Sequence, residues 1–132
     1  MFELKCVVVT PERTLLDEPA DFVALPLYDG EIGIAPGHSP MIGRLGTGEM
    51  RIQGEEGLLR YFVEGGFVEV VGGVVSVLTG RAIPAGELDE AVAEEELAAA
   101  RARKANTPDL IAQRQRLVAA ARARLRVARR AG

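Results

Sequence analysis

His38 and Ser39 stand side by side, and by type they are the residues that could supply a base and its nucleophile. His38 is the only histidine, and Ser76 is the other serine that could act as a nucleophile. Sequence neighbours rarely face each other productively, and nothing marks an oxyanion hole, so a hydrogen-bonded structural or interface histidine is the expected role for His38. Glu31 is the carboxylate that stands out. At a turn tip such a group accepts hydrogen bonds from a partner's backbone or pairs with a partner's arginine. Asp17, Glu18 and Asp21 cluster without EF-hand spacing and read as a charged turn. With one cysteine, Cys6, and one histidine, neither an internal disulfide nor a structural zinc site is expected. No phosphate-binding glycine loop and no dinucleotide fingerprint occur. The chain reads as non-catalytic, with no metal and no cofactor.

These residues sit in an unusual stretch, 29–42, where three glycines (Gly30, Gly33, Gly37) and two prolines (Pro36, Pro40) alternate with Ile32, Ile34, Met41 and Ile42. Glycine and proline fix turns and let backbones approach closely. The apolar residues make the stretch unlike an ordinary polar loop. It reads as a docking surface carried by Glu31, Ile32, Ile34, His38, Ser39 and Met41.

The elements that must position this stretch change character at about residue 84. Residues 1–84 carry 6 Lys and Arg against 12 Asp and Glu, whereas residues 85–132 carry 10 against 7. The charge reverses sign across the break, which marks a domain boundary between 1–84 and 85–132. Before it, period-two alternation from Phe2 to Thr10 predicts a strand with one buried face. Further β-like runs follow at Phe22–Tyr28, Met50–Gln53, Leu58–Glu64, Phe67–Val71 and Val74–Thr79, with Gly65-Gly66 and Gly72-Gly73 among the separators. Gly72-Gly73 between valine-rich runs signals a hairpin. Many short strands at close spacing predict an antiparallel β-sandwich or small barrel.

After the break, residues 87–104 are rich in Ala, Glu, Leu and Arg and predict a helix capped by Asp89 or Glu87. Thr107-Pro108 is a start signal for a second helix running to about Ala131. Its apolar stripe is Ile111, Val118 and Leu125, flanked by Leu110, Leu117, Ala121 and Ala128. The short break between the helices implies an antiparallel hairpin. The second helix also carries seven arginines, Arg114, Arg116, Arg122, Arg124, Arg126, Arg129 and Arg130, with no acid after Asp109. That is an arm suited to an acidic surface. A nucleic-acid-binding adaptor is the alternative, but net charge is −3 and aromatics are only 5% of residues, against phosphate binding and base stacking. No apolar run is long enough to span a membrane, and the N-terminus lacks signal-peptide character, so the default expectation is a cytoplasmic protein.

The succession Val9-Thr10-Pro11-Glu12-Arg13, then Asp29-Gly-Glu-Ile-Gly-Ile-Ala-Pro-Gly-His-Ser-Pro, resembles the epsilon subunit of bacterial rotary F-type ATP synthases. Phe62-Val-Glu-Gly-Gly-Phe-Val-Glu-Val70 and the run Val74–Thr79 match that family's other signature, and the resemblance covers essentially the whole chain. It implies an α+β chain: a ten-stranded flattened β-sandwich followed by a two-helix hairpin. It implies a rotor subunit of the central stalk, bound to the gamma subunit and the c-ring through the segment from Glu31 to Met41. That location is peripheral, on the cytoplasmic face of the bacterial inner membrane. The helical hairpin of the family can extend toward the alpha and beta subunits and inhibit ATP hydrolysis, here through Arg114, Arg116, Arg122 and Arg126. Some members bind ATP through an aliphatic-Asp-x-x-Arg-Ala motif. This chain reads Leu88-Asp89-Glu90-Ala91-Val92-Ala93, with Val92 in place of the arginine. Asp89, Arg122 and Arg126 are what remains for a nucleotide, and weak or absent ATP binding is expected.

Overall fold

The computed structural model describes residues 3–131, so Phe2, expected to head the first strand, lies outside the described residues. The chain divides into two compact units, Met1–Pro84 and Ala85–Gly132.

The first unit is all β. Its strands are β1 (Lys5–Val9), β2 (Thr14–Pro19), β3 (Phe22–Leu27), β4 (Gly30–Ile34), β5 (Met41–Gly54), β6 (Gly57–Val71), β7 (Val74–Leu78) and β8 (Ala82–Pro84). They run in the order β2-β1-β7-β6-β5-β3-β4, with β8 added on β6. β6 pairs with β8 through residues 61–63 and with β7 through residues 67–71. The long strands β5 and β6 therefore pass from one layer of the sandwich to the other. Alternation along each strand turns Cys6, Val8, Val68, Val70, Val75 and Val77 inward from one layer. Val23, Leu25, Ile34, Met50, Ile52 and Val63 point inward from the other.

Eight strands stand among the described residues where ten were expected, and one of the differences has a local reason. Gly65-Gly66, expected to end a strand, lies inside β6, which runs on through it. Gly66 has φ +112°, and a Cβ there would collide with the Leu78 carbonyl. Only glycine bends the strand sharply enough at this close approach. Gly72-Gly73 does form the expected hairpin turn between β6 and β7, with φ of +58° and +77°. The sheet is also not wholly antiparallel, because β1 pairs with β7 in parallel. Strands from the two ends of the unit are brought together there, a pairing that no local turn encodes.

The second unit opens with a 3-10 turn at Ala85–Glu87, followed by α1 (Glu90–Ala102) and α2 (Pro108–Ala131). Asp89 caps α1 by accepting from the Ala91 and Val92 N–H groups at 2.9 and 3.2 Å. Thr107 caps α2 through its hydroxyl and the Leu110 N–H, at 3.2 Å. The helices meet through Ala93 and Leu97 on α1 and Ala121, Leu125 and Val118 on α2.

Candidate docking surface

The expected docking stretch divides between core and surface. Ile34 is fully buried, and Ile32 and Met41 pack partly buried against the core. Ile34 thus anchors β4 and presents nothing to a partner. Ser39 is exposed in the turn between β4 and β5. His38, half-buried, donates from Nδ1 to the Ser39 carbonyl at 2.7 Å. That bond stiffens the turn, and it is not the base-to-nucleophile bond that a triad needs.

Glu31 is exposed and paired. Its Oε1 accepts from Arg51 Nη2 at 2.8 Å, and Arg51 Nη1 reaches Glu49 at 3.2 Å. Glu49 is buried and also accepts from Arg60 Nε at 3.0 Å. The bond to Glu31 is the largest cause of an Arg51 pKa held above the ordinary arginine value, and Glu49 raises it further against a lowering by partial burial. The sequence reading missed this chain. Its signal was present as charged residues two apart in β5 (Glu49, Arg51), the spacing that puts side chains on one face of a strand.

A second surface was also missed. The β5–β6–β7 register places Arg44, Phe67 and Leu78 in one row and Ile42, Glu69 and Ser76 in the next. On this outward face Ile42 is 77% exposed and Phe67 59%, with Val71 and Leu78 about half exposed. The Arg44 guanidinium lies over the Tyr28 ring, 5.7 Å from its centroid, a cation–π arrangement. Exposed apolar side chains gathered on one sheet face mark an interaction site.

On the helical unit, Arg116, Arg122 and Arg126 are exposed, while Arg114 is half-buried and donates to the Arg103 carbonyl at 3.4 Å. Other arginines are engaged within the hairpin. Arg129 bridges Glu90 and Glu94 at 3.0 and 3.1 Å, and Arg124 pairs with Glu96. The bonds to Glu90 and then Glu94 raise the Arg129 pKa. These pairs set the register. The 13-residue α1 lies against the part of the 24-residue α2 that runs from about Arg114 to Arg129. The first turn of α2 therefore overhangs α1, which leaves Leu110 and Ile111 more than a third exposed, and Leu117, on a level that α1 does reach, is also 38% exposed. Asp89 serves as a helix cap, and Val92 beside it is 47% exposed. No group of three or more His, Cys, Asp or Glu among the described residues could hold a metal ion.

The first unit is a two-layer β-sandwich with an apolar outer face, and the second is a helical hairpin. A family model described as "ATP synthase, Delta/Epsilon chain, beta-sandwich domain" matches residues 3–85. A relative named ATP synthase epsilon chain, from Rhodopirellula baltica, is 52% identical over 126 residues, covering 96% of this chain and 98% of that one. A chain of the Euglena gracilis mitochondrial ATP synthase (OSCP/F1/c-ring) shares the fold with a TM-score of 0.84 at 24% identity, over 92% of this chain and 79% of that chain. A chain of the Tetrahymena thermophila mitochondrial ATP synthase central stalk and c-ring aligns with a TM-score of 0.67 at 13% identity, over 95% and 96%. The chain belongs to the family of F-type ATP synthase epsilon subunits.

Proposed function

We propose that this subunit is a non-catalytic part of the rotor, fixed to the gamma subunit and the c-ring by its β unit. It would couple proton-driven rotation to ATP synthesis mechanically, peripheral to the cytoplasmic face of the bacterial inner membrane. The observation that carries this reading is the apolar outer face of Ile42, Phe67, Val71 and Leu78. The edge bearing Glu31, His38 and Ser39 is the segment assigned to the c-ring, and the apolar face is assigned to gamma. Phe67→Glu puts a charge in the centre of that face without touching the core. It should abolish co-elution of the full-length chain with gamma while leaving the melting temperature of the free chain unchanged. Retained co-elution would refute the assignment of that face.

The helical unit is the regulatory arm, meeting the alpha and beta subunits through Arg114, Arg116, Arg122 and Arg126. Its exposed arginines and thin interhelical contact support this role. Deleting residues 85–132 should raise ATP hydrolysis by the assembled motor, and unchanged hydrolysis would remove the inhibitory role. Nucleotide binding is weak or absent on this reading, because the Asp89 carboxylate is engaged as a helix cap and Val92 offers no charge to a phosphate.

A further inference from the structure

Glu31 and Arg51 are 20 residues apart in sequence and belong to strands that do not pair with each other. Arg51 reaches Glu31 across β3 at Ala24, which pairs with Arg51 on one side and with Gly33 of β4 on the other. A small side chain at that position leaves the path open. The planar guanidinium fork divides between two carboxylates, Nη2 to Glu31 and Nη1 to Glu49. Glu49 has a side chain only 6% exposed and is gripped in turn by Arg60, so the far end of the chain is fixed. β4 is the edge strand of the sheet, paired only with β3, and its glutamate would otherwise sample several rotamers in solvent. With Arg51 in place, one carboxylate oxygen is anchored while 55% of the side chain remains exposed.

The chain Glu31–Arg51–Glu49–Arg60 sums to no net charge. A partner's lysine or arginine approaching Glu31 meets the positive charge of Arg51 at the same carboxylate. A neutral N–H or O–H meets no such opposition, and it finds an acceptor whose ordering cost is already met. We propose that Arg51 is a positioning residue that presents Glu31 as a charge-balanced hydrogen-bond acceptor for a neutral donor on the c-ring. This rests on the docking reading above and adds the partner's chemistry to it.

The test uses the full-length chain and a gamma–c-ring subcomplex from the same organism, with affinity measured at low and high salt beside the melting temperature of each free variant. Glu31→Ala and Arg51→Met should each weaken binding about tenfold, the loss of one charge-assisted hydrogen bond. The double variant should be no worse than either single one, and the losses should persist at high salt. Arg51→Lys should restore little, because one ammonium cannot hold both carboxylates in the fork geometry. Additive losses, or an Arg51→Met variant that melts earlier yet binds normally, would reduce the pair to a structural ion pair. A Glu31 effect that disappears at high salt would reveal a cationic partner and overturn the neutral donor. If Glu31→Ala binds normally while Phe67→Glu does not, this proposal fails and the apolar docking face survives. If both bind normally, the docking reading itself fails.

Discussion

The β unit and the helical unit solve the problem of burial differently. The β core is built of branched and large side chains drawn from both layers, such as Val8 and Val70 from one and Leu25 and Met50 from the other. Between the helices, two of the four buried contact residues, Ala93 and Ala121, are alanines, and only Leu97 and Leu125 bring long side chains. Alanine loses no rotamer entropy on packing, but it also removes little apolar surface from water. Charge makes up part of the difference. Arg129 with Glu90 and Glu94 is a solvent-exposed network, and such pairs stabilise little and are screened by salt. One unit is therefore specified by packing and backbone geometry. The other is specified by propensity, caps and screened charge.

That contrast can be broken most decisively at Gly66. Replacing it with alanine should cost the β unit about 3 kcal/mol or more, through positive φ and collision with the Leu78 carbonyl. Tyr28 and Tyr61 both lie in this unit and there is no tryptophan, so tyrosine fluorescence reports its unfolding separately from the helical far-UV signal. An unshifted tyrosine transition would mean that the bend is not demanding.

Matched core truncations sharpen the comparison. Leu25→Ala should cost about 3–4 kcal/mol, because its surroundings cannot collapse around the cavity, whereas Leu125→Ala should cost about 2 kcal/mol or less. Equal losses from the two chemical-denaturation midpoints would erase the distinction between the units. The smallest effect concerns pH. Burial raises the Cys6 thiol from 9.0 to about 12, so the folded state favours the neutral form. Stability from this group is intact below pH 9 and falls as the unfolded thiol ionises, with the loss complete near pH 12. At pH 10 the loss is about 1 kcal/mol, and it should be absent in Cys6→Ala. Identical pH dependence in the two proteins would place the thiol outside the core.

Local pattern made part of this architecture readable in advance. Alternation identified β1, short β-like runs identified β3 and β7, the double glycine identified the β6–β7 hairpin, and composition with Asp89, Thr107 and Pro108 identified the helices. β2 and β4 were not readable, because Asp17-Glu18-Pro19 and Gly30–Gly33 are poor strand formers that become strands only through their neighbours. The parallel β1–β7 pairing and the reach of Arg51 to Glu31 are non-local, and no single window of sequence contains both partners. Among the candidate residues, Glu31 and Ser39 reach the surface. Ile34 does not, since an isoleucine at an apolar turn reads the same whether it anchors the turn or faces a partner.

The passage of β5 and β6 through both layers has a mechanical consequence. In a sandwich whose layers touch only through side chains, a sideways load on one face slides it over the other by rearranging van der Waals contacts. Here two unbroken strands, hydrogen-bonded to each other along nearly their whole length, cross between the faces. Sliding one layer past the other would have to break backbone hydrogen bonds or bend covalent chain, so the unit resists shear as a stiff block. On the proposed docking of one partner at the apolar face and another at the edge, such stiffness would pass twist between them with little elastic loss.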